Sequence, residues 1–146
     1  MIDFAQKPEY LRWASERIGD AFDPQTSAWL SQIGPNGDIE AVTIFTGWSD
    51  FNVFVSTAVE KPGTRQYIRE VFRYAFRTLG VFRVTFMSKH TNHKAIAMHK
   101  RLGAVYEATL LHYYGMEHAV CSRILEPECK WLGVHHVKPV QDTQSA

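Results

Sequence analysis

Apolar and polar positions follow three different rhythms along the chain. Over Pro8–Ile18, Leu11, Ala14 and Ile18 share one side of a helical repeat. Pro8 stands near the start, where its missing N–H does no harm, and residues 19–24 end the segment. Strand patterns come next. Ser27–Ile33 and residues 39–45 flank Pro35-Asn36-Gly37-Asp38, a strong hairpin signal. After a break at residues 47–50, Phe51, Val53 and Val55 alternate with Asn52, Phe54 and Ser56 across residues 51–57. Three strands joined by short turns predict an antiparallel meander.

A helical rhythm then returns. Lys61-Pro62-Gly63-Thr64 opens a long helix whose apolar positions are Ile68, Val71, Phe72, Ala75, Phe76 and Leu79, and Gly80 stops it. Residues 81–87 read as a buried strand. Thr91 or Asn92 can cap a further helix running to about Leu102, with Gly103 at its end. Residues 104–111 and 116–125 form a closing hairpin across residues 112–115. The strand–helix–strand passage in the middle allows one parallel pair in an otherwise antiparallel sheet. The expected fold is α+β, a mixed, mostly antiparallel sheet with helices on both faces, as one domain over residues 1–132. Residues 133–146 lose the apolar rhythm and are expected to be a flexible tail.

Composition narrows the classes. The 146 residues are 45% hydrophobic and 21% charged, an ordinary globular balance. A formal charge of +1 gives no global pull toward nucleic acid or an anionic membrane. The cysteines Cys121 and Cys129 form no CxxC pair and no disulfide scaffold, and no apolar run is long enough to span a bilayer. The opening residues lack the basic-then-apolar order of a signal peptide, so a cytoplasmic enzyme is expected.

Two helix starts invite an anion. The first is the loop at residues 60–65, where Lys61 and Arg65 flank Gly63 and backbone N–H groups feed the helix start; Pro-Gly before a helix is also ordinary turn chemistry. The second is the run Asn92-His93-Lys94-Ala95-Ile96-Ala97-Met98-His99-Lys100-Arg101-Leu102-Gly103. That run, with the element order, resembles the signature of the GNAT acetyltransferase family. Asn92, Ala95, Met98, Leu102 and Gly103 fall on its register, with His99 where tyrosine often stands and Ala104 in place of phenylalanine.

The resemblance implies acyl transfer from acetyl-CoA to an amine of a small molecule or a protein. It implies a cofactor held between the strands at residues 51–57 and 81–87, on backbone groups of the first of these around Val55. It also implies a pyrophosphate on Lys61, Gly63, Thr64 and Arg65, and contacts at Asn92 and Ala95. Glu60-Lys61-Pro62-Gly63-Thr64-Arg65 departs from the family's glycine-rich pyrophosphate loop, keeping one glycine and adding its own cations. Trp48, Tyr113 and Tyr114 stand where acceptors of the family enter, and a core role is open to each.

His99 reads either as a general acid for the departing thiolate or as a half-buried packing residue beside Ile96 and Leu102. Residues 51–57 hold no carboxylate, which leaves water, Asp50, Glu40 or His90 as the base. Arg65, Arg69, Arg73 and Arg77 form a stripe, a solvated face in preference to a nucleic-acid surface. A Mom-type nucleobase-modifying enzyme or a non-catalytic binding module of the same fold are the alternatives, and the sequence leaves a homodimer open. His112, His118, His135 and His136 match no zinc spacing, so no metal is expected, and Cys121 reads as core.

Overall fold

The computed structural model describes residues 1–133, so the expected tail beyond Gly133 lies outside the described residues. In chain order the elements are β1 (Ile2–Asp3), α1 (Pro8–Ile18), β2 (Ser27–Ile33), β3 (Ile39–Thr46), β4 (Asn52–Val59), α2 (Arg65–Arg73), β5 (Arg83–Lys89), α3 (His93–Leu102), β6 (Val105–Tyr114) and β7 (Glu117–Leu125). The seven strands make one sheet in the order β1-β2-β3-β4-β5-β7-β6. Every neighbouring pair is antiparallel except β4 and β5. The α+β fold expected from the element order is the fold observed.

Helix α1 covers one face. Its buried Tyr10, Leu11 and Ala14 pack on Trp29, Ile33, Val42, Ile44 and Ala58. Gly19 closes it at φ 87, and its N–H donates to the Ser15 carbonyl at 2.8 Å. Such a left-handed cap suits glycine, which carries no Cβ to clash. Helix α2 lies on the other face, with Tyr67, Val71 and Phe72 buried against Leu30, Phe45, Val53 and Val84. The Tyr67 hydroxyl reaches through this core to the Leu30 carbonyl at 2.9 Å and to the Thr43 hydroxyl at 2.7 Å. Helix α3 ends on the same core through Leu102.

Two features depart from the expected elements. Strand β1 pairs Ile2 with Gln32 and Asp3 with Ser31, and two residues are too few to show a period. The long helix does not run evenly to Leu79. From Tyr74 to Thr78 it widens into a π-helical turn, with the Leu79 N–H on the Tyr74 carbonyl at 2.8 Å. There Ala75 and Phe76 remain buried in the core, and the Tyr74 ring rests against Phe45 at 4.8 Å.

The parallel pair defines the place where the sheet opens. Strands β4 and β5 pair at Asn52↔Arg83, Val53↔Val84 and Phe54↔Thr85 only. Beyond that, β4 stays with β3 as far as Val59↔Ala41, and β5 stays with β7 as far as Lys89↔Ala119. The sheet therefore divides along residues 55–59 and 86–89, and the facing edges have no ladder partner across the gap. Polar side chains hold the closed end. The Thr85 hydroxyl donates to Asn52 Oδ1 at 2.5 Å and accepts from Arg83 Nε at 2.9 Å. Arg83 in turn pairs with Glu107 on β6.

Candidate active site

Both helices that follow the parallel strands begin at the open end, because β4 leads to α2 and β5 leads to α3. The β6–β7 hairpin tip reaches the same end, since β7 runs antiparallel to β5. Val55, the 60–65 loop, Asn92, Ala95, Tyr113 and Tyr114 are thus brought to one end of the sheet. Tyr113 and Tyr114 meet edge to face at 5.1 Å. Burial raises the pKa of Tyr114, with the nearby Asp20 charge adding to it, so the hairpin tip stands close to the segment after α1.

Trp48 does not join them. It lies in the β3–β4 turn at the paired end, the full length of β4 away, about 25 Å for eight residues. Its expected place beside Tyr113 and Tyr114 is corrected by the direction of β4. Asp50 shares that turn and is equally remote.

The side chain of Val55 is buried in the core shared with α2, so only its backbone is offered to the gap. Asn92 caps α3, its Oδ1 accepting the Ala95 N–H at 3.1 Å. Ala95 therefore has its amide engaged by the chain itself.

The 60–65 loop is stitched to the sheet. Thr64 caps α2 by accepting the Tyr67 N–H at 3.0 Å, while its own N–H donates to Gln32 Oε1 at 2.8 Å. The Gln32 amide nitrogen donates to Glu40 Oε1 at 2.9 Å and to the Pro62 carbonyl at 3.3 Å. Lys61 stands 3.7 Å from Glu40 Oε2. Glu40 is therefore committed to the loop and is no free base. Of the first-turn amides of α2, those of Arg65 and Gln66 lack an intrahelical acceptor by helix geometry. Gly63 leaves room for the Tyr67 ring, whose Cδ2 would lie 3.1 Å from a Cβ at that position.

His99 is 9% exposed, and its ring stacks on Phe86 of β5 at 4.5 Å. Burial lowers its pKa to about 4. The ring is neutral near pH 7, which corrects the expectation of a charged proton donor at working pH. His90 is also engaged. Its Nδ1 lies 2.9 Å from the His118 backbone nitrogen and 3.2 Å from the His118 carbonyl oxygen. His118 Nδ1 accepts the His112 N–H at 2.8 Å, and His112 Nδ1 lies 2.8 Å from the Gly115 carbonyl. His112 takes φ 55 to make these contacts. This histidine ladder at the hairpin was missed in the sequence, because positions 90, 112 and 118 have no common period.

The arginine stripe is half neutralised. Arg73 pairs with Glu70 at 3.1 Å and Arg77 with Glu126 at 2.5 Å, whereas Arg65 and Arg69 make no ion pair among the described residues. Burial pushes the Cys121 thiol up, and that of Cys129 up to about 11, so neither is a thiolate nucleophile. Among the described residues no cluster of three His, Cys, Asp or Glu side chains is arranged for a metal ion, and His135 and His136 lie outside them. No helix among the described residues is long and apolar enough to cross a membrane.

A mixed seven-stranded sheet that splits at its parallel pair, with helices on both faces, is the fold of the GNAT N-acetyltransferases. Among solved structures, the spermidine/spermine N-acetyltransferase SpeG of Vibrio cholerae superposes with a TM-score of 0.71 at 11% identity, covering 88% of this chain and 93% of that one. The ribosomal-protein-S5-alanine acetyltransferase of Vibrio fischeri gives 0.60 at 16% identity, covering 73% and 65%. At these identities the likeness is one of fold. No protein-family model and no curated protein sequence matches the chain.

Proposed function

We propose that the chain transfers an acetyl group from acetyl-CoA to an amine. The observation that carries this reading is the divided sheet: residues 55–59 of β4 present a backbone edge with no partner across the gap. Unpaired peptide groups in a cleft call for a peptide-like ligand, and the amide-bearing pantetheine arm is one. The likeness of fold to named N-acetyltransferases supports the same reading. The acceptors those enzymes are named for, a polyamine in one and an alanine of a ribosomal protein in the other, span the two acceptor classes expected here.

In this reading the β4 edge around Val55 holds the pantetheine arm, and Arg65, Lys61 and the free first-turn amides of α2 meet the phosphates. Tyr113 and Tyr114 border the acceptor entrance. Acetyl-CoA supplies the acyl group as a thioester. The amine nitrogen bonds to the carbonyl carbon, the carbon–sulfur bond breaks, the nitrogen loses a proton and the sulfur gains one. With His99 neutral and Glu40 tied to its loop, water handles both protons.

The test is a thermal melt with acetyl-CoA against free acetate and free adenosine diphosphate. A ligand that binds only the native state must raise the midpoint. Acetyl-CoA is expected to raise it, and Arg65→Glu is expected to reduce the rise. No shift at millimolar acetyl-CoA would remove the reading.

A further inference from the structure

A second concavity lies apart from the divided sheet. It is a pocket of about 200 Å³ between α3 and the β6–β7 hairpin. Ile96, Ala104 and Val120 form its apolar wall. His99 and Ser122, both buried, add polar groups, and Lys100 and Tyr106 stand exposed at its rim. The Tyr106 hydroxyl is taken by Thr109 at 2.8 Å. His99 differs. Its ring is held on one side by Phe86, it is nine-tenths buried, and among the described residues its nitrogens meet no hydrogen-bond partner. Neither nitrogen is among the fully enclosed atoms that lack a partner, so they keep access to solvent, and the pocket that His99 lines is where a ligand can meet them.

The chemistry of the wall narrows the ligand. No Asp or Glu lines the pocket, and Lys100 is the charged residue at its mouth. A volume of about 200 Å³ is below that of usual drug-sized sites, so only a small molecule fits. We infer that this pocket binds a small monocarboxylate with a compact apolar body, its carboxylate between Lys100 and His99 and its body against Ile96 and Val120. The site is separate from the cleft between β4 and β5 and stands whether or not the chain transfers acetyl groups. A carboxylate beside the imidazole also favours its protonated form, so occupancy raises the His99 pKa from its low resting value.

Benzoate is the probe, followed by the His99 ring proton signal in nuclear magnetic resonance on the full chain. A saturable shift is expected, with His99 titrating at higher pH in the complex. Benzyl alcohol, of similar shape and no charge, is expected to bind at least tenfold more weakly, about the worth of one charge-assisted hydrogen bond. The exposed substitution Lys100→Met, which leaves the core intact, is expected to weaken benzoate by about the same factor. The absence of a saturable shift, equal binding of benzyl alcohol, or unchanged affinity in Lys100→Met would each overturn the site.

Discussion

Burial deprives His99 of its charge, and that has a consequence for stability. In the unfolded chain the imidazole takes up a proton near its ordinary value of 6.5, while in the fold it does so only at about 4. Between those values the unfolded state binds the extra proton, so lowering the pH favours unfolding. The effect is absent above pH 6.5 and complete below about 4, and amounts to roughly 3 kcal/mol. Urea unfolding at about pH 7.5 and pH 4.5 should show wild type losing more stability than His99→Phe. Equal losses would mean that the ring is not titrating in this way. The same substitution also decides the chemistry. A general acid contributes about 10²–10⁴-fold to rate, so turnover of His99→Phe close to wild type is expected, and a fall of that size would restore the proton-donor role. At this scale the sequence located Asn92, Ala95 and His99 on one helix. The environment of His99 was not legible, because it depends on Phe86, thirteen positions earlier on another strand.

At the level of elements, the start of α2 is held by one buried side chain. Gln32 joins Thr64, Pro62 and Glu40, and so ties the loop to β2 and β3. Gln32→Leu keeps the bulk and strands the Thr64 N–H, which should lower stability by roughly 1–3 kcal/mol. Chemical denaturation of the variant checks this, and an unchanged midpoint would mean that water replaces the glutamine. Turn signals and periodicity were enough to place α1, β2 and β3 and to narrow the cap of α3 to Thr91 or Asn92, of which Asn92 is the cap, since Pro8, Asn36-Gly37 and Asn92 act through their own backbone neighbourhood. They were not enough for the π-helical turn at Tyr74, whose register fits the packing of Tyr74 on Phe45 of β3. Nor could they show Glu40 of β3 as an anchor of the 60–65 loop, because Gln32 reaches it only when β2 and β3 pair, and Lys61 only when β3 and β4 pair.

The whole molecule is a sheet that is closed at one end by Asn52, Thr85 and Arg83 and open at the other. The strand–helix–strand order announced a parallel pair, but how far that pair stays zipped is a property of the assembled sheet. Hydrogen exchange can read it directly. In the free protein the amides of residues 55–59 that point away from β3, and those of residues 86–89 that point away from β7, should exchange fast for central strands, since no ladder protects them. Amides of residues 52–54 and 83–84 should exchange slowly, because the clamp holds them. If acetyl-CoA lies between the strands, it should slow the first set while leaving buried amides of α1 nearly unchanged. Uniform slowing across α1, β2 and β4 would instead report a global gain in stability with no contact in the gap. No slowing at residues 55–59, despite a rise in melting temperature, would move the ligand out of the divided sheet and leave only the helix starts to hold it.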